Sequence, residues 1–542
     1  MTITSYIIGF SFVDMMGRKS GFECCHEVSY VFAGIGLLTV YAELFSLVYK
    51  VGLLANAILL LVSLVLAVLN RKALSDRLKI LFLKKNAIKI ILAVCFAVLF
   101  AYGTSTGFMH YDSDLYHAQS IRWIEEYGVV KGLGNIHTRL AYNSASFCLS
   151  ALFSMSFLGG QSFHVCAGYL ACMTAVLCVD LFKKTDRFAP KLSNMTRVVT
   201  IYYLMIIFDE MVSPASDYFM VLLVLSLLIM FFEHLEAGDT NPTSYALLSL
   251  LAVVIMSIKI SGALIVLVCI YPAYLLIKSR QFNEVLKYVL CGVLAISPFL
   301  VRNVWLSGYL IYPVTAIDLF NPIYKIPKGI AEYDSREIRV YGRGYTDVGA
   351  FNLKIREWLP AWFEGLDKIN KVSFVLALAA LVAFAVSICI VLWKKKYEEL
   401  PFMLVIAVSD VSFVYWLLTS PNIRYGCVFL WLAATLCFTW IYRKLTLHID
   451  NTMVYRVVVG LFLAYKLFAF SREAFIEFSK QHLISQQDYG TYEYAEKKIK
   501  DITFYYPLEG DQIGYNPFPS FPYEPNATLI GDTIAEGFMP IN

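Results

Sequence analysis

Apolar stretches long enough to cross a bilayer recur along this chain from its first residues to about position 470. A spanning helix needs roughly 17–25 predominantly apolar residues. In lipid every backbone polar group must be satisfied internally, which confines the chain to helices or a closed barrel. Composition points the same way: 58% of residues are hydrophobic and 16% charged, against about 45–50% and 25% in soluble domains. A soluble enzyme, a nucleic-acid binder and a disordered chain are excluded, so no nucleic-acid partner is expected. The expectation is an all-α polytopic membrane protein with about 12–14 transmembrane helices.

Candidate spans lie near 1–13, 28–48, 51–69, 88–106, 162–182, 198–209, 217–234, 243–258, 261–277, 286–301, 372–393, 401–419, 425–441 and 453–470. Lys and Arg in the short loops set the orientation. The 70–89 loop carries seven of them (Arg71, Lys72, Arg77, Lys79, Lys84, Lys85, Lys89) and the 183–197 loop five. The loops near 278–287, 394–400 and 442–456 carry three each, and counting spans alternately puts all five loops on one side. That side is expected to be the cytoplasm. The same parity leaves 144–158 (SASFCLSALFSMSFL) as a helix lying along the outer surface. No basic n-region precedes the first apolar run, so no cleaved signal peptide is expected. Most of the twelve cysteines sit in apolar runs and no CxxC occurs, which argues against a disulfide framework or structural zinc.

Three long segments then face outward, 107–161, 302–371 and 471–542. Long loops of mixed polar and aromatic composition are commonly functional. The expected organisation is N-terminal helices over 1–87, a membrane core over 88–470 containing the first two loops, and a small extracytoplasmic C-terminal segment over 471–542.

Chemistry concentrates in the first loop, MHYDSDLYHAQSIRWIEEYGVVKGLGNIHTRLAYNSASF. Asp112 and Asp114 stand two residues apart at the membrane boundary. Such a pair can hold a divalent cation, or one carboxylate can act as a base that the other orients. A solvated loop is the plain alternative. The density of His117, Arg122, His137, Arg139, Asn143, Gln119 and Asn135 beside an apolar wall weighs against it. No recognisable metal-ligand spacing joins the two histidines. Asp114, His117, Ser120 and Glu125 fall near helical spacing, with Trp123 and Tyr127 as interface anchors.

Lys259, Arg302 and Arg424 lie at outer helix ends, where ionisable groups either snorkel or face a polar cavity. Three cations on one side suit an anionic ligand, and Arg grips phosphate through paired N–H donors. Asp217 opens a span, where an acidic side chain can also simply cap the helix. Trp358, Trp362 and Phe363 suggest an amphipathic interface segment. The tail offers a helix at 472–482 and an extended run, GDQIGYNPFPSFPYEP, suited to packing over a groove.

An outer loop that opens on an acidic motif after a span, followed by a surface helix, resembles the GT-C-type glycosyltransferases, which are polyprenyl-phosphate-dependent membrane enzymes. The resemblance covers about 88–470. The motifs HYDSDLYHAQ, GLGNIHTRLAYNSASF, RNVWLSGYLIYP and SPNIRYG are similar to those of a bacterial branch associated with cell-surface polysaccharide synthesis. It implies a GT-C-like arrangement in a bacterial cytoplasmic membrane, with the active face extracytoplasmic. Asp112 or Asp114 matches the acidic residue serving as base or metal ligand, the metal being a divalent cation such as Mg or Mn. Arg302 or Arg424 matches a lipid-phosphate contact. The implied partners are a polyprenyl-phosphate-linked sugar donor, a glycan or lipid acceptor, and membrane lipids.

The catalytic candidates are therefore Asp112, Asp114 and His117. The substrate-binding candidates are Arg122, His137, Arg139, Asn143, Asp217, Lys259, Arg302 and Arg424, and the metal candidates Asp112 and Asp114. Competing functions are a repeat-unit polymerase or ligase, which shares the carrier, and a lipid-linked-glycan flippase, which would call for broken midplane helices and an internal repeat. Neither an internal repeat nor midplane charge pairs are found. A non-catalytic scaffold leaves the outer polar cluster unexplained.

Overall fold

The computed structural model describes residues 1–18, 20–22, 24, 26–83, 86–159, 162–182, 188–446, 452–474 and 487–541. Every predicted span has a helix at its place. The first five are α1 (Thr2–Gly17), α2 (Glu27–Val48), α3 (Leu53–Leu69), the amphipathic α4 (Arg71–Leu81) and α5 (Ala87–Thr106). The first long loop holds α6 (Ala118–Glu126) and α7 (Ala145–Phe153). Then follow α8 (Cys166–Cys178), α9 (Leu192–Ile206), α10 (Ser216–Glu236), α11 (Pro242–Ile258), a 3-10 stretch Ile260–Cys269 running into α12 (Ile270–Lys278), and α13 (Phe282–Ser307). The second long loop holds α14 (Lys328–Gly342) and α15 (Ile355–Gly365), and α16 (Lys368–Trp393), α17 (Leu400–Thr419), α18 (Ile423–Thr446) and α19 (Thr452–Ala474) complete the bundle.

Among the described residues nine helices are long and apolar enough to cross a membrane, or ten if α3 and α4, bent by 85°, count as one span. Shorter apolar helices at Ala145–Leu158, Cys166–Phe182 and Pro242–Ile258 accompany them. The protein is a helical, multi-pass membrane protein.

Burial sorts these helices into two kinds. α10 is central: all of its residues except Glu233 and Glu236 are buried, against α8, α9, α11 and α18. By contrast α13 and α16 show rows of exposed apolar side chains, such as Leu286, Val289, Val293, Val375, Val382 and Val386, which is the surface expected toward lipid. With no hydrophobic drive between helices in lipid, close packing of small residues supplies much of the contact. α1 and α2 meet in this way: a Cβ on Gly9 would lie 1.8 Å from the Tyr30 carbonyl oxygen, and one on Gly34 1.8 Å from that of Ser5. α2 belongs to the same hydrophobic core as α8, α10 and α18, so the first helices are not set apart from the rest.

Three expectations about the loops change. The segment predicted as a surface helix forms α7, and all nine of its residues are buried. It packs against α2, α6, α8 and α11, so its uniform apolarity reflects enclosure by protein rather than a one-sided interface. Trp358 and Trp362 are likewise buried rather than interfacial. The Trp362 indole donates to the Pro421 carbonyl at 2.7 Å, fixing α15 over the end of α17. Trp123 is 1% exposed and packs on Phe518, Phe521 and Phe538 of the C-terminal segment.

Beyond the end of α19, the described part of that segment is built on short strands, with one 3-10 turn at Ile534–Glu536. β1 (Tyr494–Ile499) pairs antiparallel with β2 (Ile502–Pro507), and β3 (Ala527–Leu529) with β4 (Phe538–Pro540). Of the tail helix predicted at 472–482, residues 472–474 close α19 and 475–482 lie outside the described residues, as do Lys84, Lys85, Lys183, Lys184 and Arg187 of the basic loops. Phe504, Phe521, Leu529 and Phe538 join Trp123, Val130, Leu133 and Leu306 in a second, smaller core. Gly132 (φ +67°) admits this docking, since a Cβ there would meet the Phe538 carbonyl oxygen at 2.0 Å.

Candidate active site at the loop face

The long loops and the ends of α10, α11, α13, α17 and α18 enclose a cavity of about 510 Å³. Asp112, Arg139, Asn143, Asp217, Lys259 and Arg424 all line it. They come from widely separated stretches, so the fold gathers what the sequence disperses.

Local structure explains how Arg424 reaches the cavity. α17 stops at Thr419, Asn422 caps the next helix by accepting from the Arg424 N–H (3.0 Å), and the Trp416 indole holds the Asn422 carbonyl (2.9 Å). At Gly426 the chain passes so close to Trp416 that a Cβ would lie 2.4 Å from the ring. Arg424 thus projects at the start of α18. There Nη2 donates to Asp112 (2.6 Å) and Nε approaches Asp217 (3.4 Å). Nη1 donates to the His110 ring at 2.8 Å. Lys259 pairs with the other oxygen of Asp217, its Nζ 4.3 Å from the centre of the Tyr425 ring. Two carboxylates and two cations form one continuous network.

The electrostatics follow. Burial would push the Asp112 carboxyl up, but Arg424 outweighs it and holds the group down at about 2. Burial, then Arg424, lowers His110, whose Nδ1 also accepts from the Asp112 N–H (3.1 Å). Arg139 and Arg339 stand on the remaining wall. Among the described residues neither has a carboxylate within ion-pair distance. Arg339 is brought there by α14, which is held through the Tyr142 hydroxyl donating to buried Asp334 (2.6 Å) and the Ser420 hydroxyl donating to the Ile338 carbonyl (2.8 Å). The lower wall is apolar and aromatic, with Phe299, Ile258, Tyr415 and Trp416.

Five predicted residues lie elsewhere. Asp114 turns to the C-terminal segment, accepting from the Gly490 N–H (3.1 Å) and the Tyr492 hydroxyl (3.0 Å). Its carbonyl accepts from the N–H groups of Ile513 and Gly514. Ser113–His117 is a π-helical turn, and residues two apart on a helical turn do not face each other. The two carboxylates therefore diverge and do not form the metal pair that DxD spacing suggested. His117 is buried between Tyr116 and Phe147, and burial lowers its ring to about 3. It is a neutral packing residue. Arg122 donates to the Tyr515 carbonyl (2.6 Å) and stacks on Tyr515 and Phe518. His137 accepts from the Arg139 N–H (3.2 Å) as a cap and lies against Tyr523, burial lowering it to about 3.

Arg302 is buried behind the cavity wall. It donates to the Asn143 side chain (3.0 Å) and to Ser46 (2.5 Å), so it is placed to orient Asn143 rather than to meet a ligand. Sequence reasoning passed over His110, Tyr425 and Arg339. The first two adjoin flagged residues in HYDSD and NIRYG, whereas Arg339 carried no distinguishing signal.

Among the described residues one group of side chains converges closely enough to hold a metal ion, His26, Asp180 and Glu233, with ligand atoms all within 4.8 Å of one another. It sits at the other end of α10 from Asp217, about 24 Å away at 1.5 Å per residue. Arg197 and Lys89 already pair with its carboxylates. Asp112 and Asp114 offer no such convergence, so no metal step is assigned to the cavity.

The model of a domain of unknown function, DUF8201, matches residues 1–431. No curated protein matches the chain. Among solved structures, the arabinosyltransferase EmbB from Mycobacterium smegmatis, determined by single-particle cryo-EM, aligns with a TM-score of 0.36 at 14% identity. The alignment covers 71% of this chain and 33% of that one, so the chain spans about a third of that protein's length.

Proposed function

Because the chain belongs to the DUF8201 family, its activity must be read from its own site, and we propose that it is a GT-C-like integral-membrane glycosyltransferase. The reaction moves a sugar from a polyprenyl phosphate or pyrophosphate carrier to a glycan or lipid acceptor on the extracytoplasmic face of a bacterial cytoplasmic membrane. One observation carries this reading. A carboxylate already bound to Arg424 shares a cavity with two guanidiniums, Arg139 and Arg339, that among the described residues have no carboxylate within ion-pair distance, above an apolar wall continuous with the membrane helices.

In this reading the donor's isoprenoid lies along the apolar wall, and Arg139, Arg339 and Lys259 receive its phosphate. Neutralising phosphate charge stabilises the leaving group as the glycosidic C–O bond breaks. A carboxylate held at about 2 is a poor base, since proton transfer works best with a group near the operating pH. Arg424 resolves the difficulty. A phosphate that engages Arg424 removes the counter-ion from Asp112, whose basicity then rises just when an acceptor hydroxyl must lose its proton. Asp217 keeps Lys259 and Arg424 oriented.

The test is mass-spectrometric profiling of surface glycan and lipid carriers in wild type, a deletion and an Asp112→Asn strain. Transfer predicts that the variant, like the deletion, lacks one sugar and accumulates the polyprenyl-linked donor. Normal sugars with collapsed chain length would indicate a polymerase instead. An unchanged glycan in the variant beside an altered one in the deletion would remove Asp112 from the chemistry.

A further inference from the structure

A second cavity, of about 980 Å³, opens on the far side of α6. Its floor is the first turn of α3, with Leu53, Leu54 and Ala57, and this floor continues into the lipid-facing surface of α3 through exposed Ile58, Leu61 and Val65. Its roof is polar, with Lys50, Arg122, Glu126, Asp488 and Asn516, interleaved with the rings of Tyr49, Phe157 and Tyr515. Pockets of this size hold drug-sized ligands.

The character of the roof selects the ligand. Arg122 and Glu125 are engaged with Tyr515, whose hydroxyl donates to Glu125 at 2.5 Å. Among the described residues Lys50, Glu126 and Asp488 have no ion-pair partner. The lining as a whole carries three carboxylates (Glu125, Glu126, Asp488) and two cations (Lys50, Arg122), an excess of negative charge that disfavours an anionic headgroup. Mixed donors and acceptors beside aromatic rings suit the hydroxyls and apolar faces of a neutral sugar. We propose that this cavity binds a sugar-bearing amphiphile, its chain along α3 and its glycan under the tail. Given the transferase reading above, on which this assignment rests, the amphiphile is the acceptor.

The tail ties the two sites together. Asp511 lines the first cavity, while Tyr515 and Asn516 line the second. Four residues reach at most about 14 Å, so a glycan seated in the second cavity extends toward the first along this segment.

The test measures saturable binding of tritiated dodecyl β-maltoside, below its micellar concentration, to the full-length protein purified in lauryldimethylamine oxide. The triple variant Lys50→Met/Glu126→Gln/Asp488→Asn removes roof groups that make no ion pair with the described residues, and its melting temperature is recorded alongside. Affinity is expected to fall at least about tenfold, as lost hydrogen bonds to charged groups would give, with melting unchanged. Dodecylphosphocholine should not compete at equal monomer concentration. Arg339→Met, which changes the wall of the first cavity without stranding a buried carboxylate, should leave maltoside binding intact, so this result stands or falls separately from the transferase reading. Equal competition by dodecylphosphocholine would make the cavity a general lipid crevice. Unchanged affinity in the triple variant, or its loss in Arg339→Met, would equally overturn the proposal.

Discussion

Asp112 and Asp114 are the same residue type, two positions apart, and they do different work. Asp112 faces a cavity and is held by an arginine 312 residues further along the chain. Asp114 faces away and fastens backbone and tyrosine groups from a segment 376 to 378 residues further along. The difference comes from helical phase: one step of two residues carries a side chain to the opposite side of the turn. A motif with two acidic residues therefore need not be a paired site. Here one half lines the cavity and the other fastens the C-terminal segment.

The largest effect expected from this comparison is on turnover. Asp112→Asn should lower transfer by roughly 10²–10⁴-fold, the usual worth of a positioned base, while hydrogen exchange at Gly490 and Gly514 stays slow. Asp114→Asn should do the reverse, with faster exchange at those amides and a much smaller loss of rate. If both variants gave the same pattern, the division of labour would fail. Next comes Arg424→Met, which strands Asp112 and leaves Asp217 with Lys259 alone. Breaking a buried pair costs about 3–5 kcal/mol, so melting should fall markedly along with affinity for inorganic pyrophosphate, and Arg424→Lys should restore part of both.

A smaller change is expected at Gly132. Substitution by Ala places a methyl against the Phe538 carbonyl at a left-handed φ, costing about 1–3 kcal/mol. Limited proteolysis should then cut within 487–541 sooner, without altering ligand binding in the Arg424 cavity. The smallest effect is on pH dependence, and the two aspartates should differ in sign. Asp112 sits at about 2 against an ordinary 3.8, so its contribution to stability is full above 3.8 and lost as pH falls through 2. Burial raises Asp114, so its contribution is full below 3.8 and lost as pH rises through its folded value. Protection of the tail amides, compared between wild type and Asp114→Asn from pH 4 to 7, should therefore show a relative gain for wild type toward pH 4.

The spans were legible because a bilayer imposes length and apolarity on each helix separately, which is local information. Lys259, Asp217 and Arg424 could also be singled out, since an ionisable group beside a span is costly and needs a reason. What sequence could not supply was phase and distant partnership. Arg122 and His137 looked like members of one polar cluster with Asp112, yet Tyr515 and Tyr523 hold them on another surface. Arg302 matched a phosphate contact by position, but its guanidinium is spent on Asn143 and Ser46. The placing of α7 fails for a related reason: enclosure by protein and immersion at an interface both call for apolar residues, and the seven in its nine residues do not distinguish the two. β1 and β2 were hidden by lysines and tyrosines that do not alternate cleanly between inside and outside.

The clamp on Asp114 also has a meaning in time. At a synthesis rate of about 5–20 residues per second, the 376 residues separating Asp114 from Gly490 take on the order of 20–75 seconds to make. Throughout that interval α6 and its loop stand beside the membrane without the strands and proline-rich run that will cover Trp123 and Gln119. A nascent chain thus leaves Trp123 and Gln119 uncovered until the strands and the proline-rich run have been made.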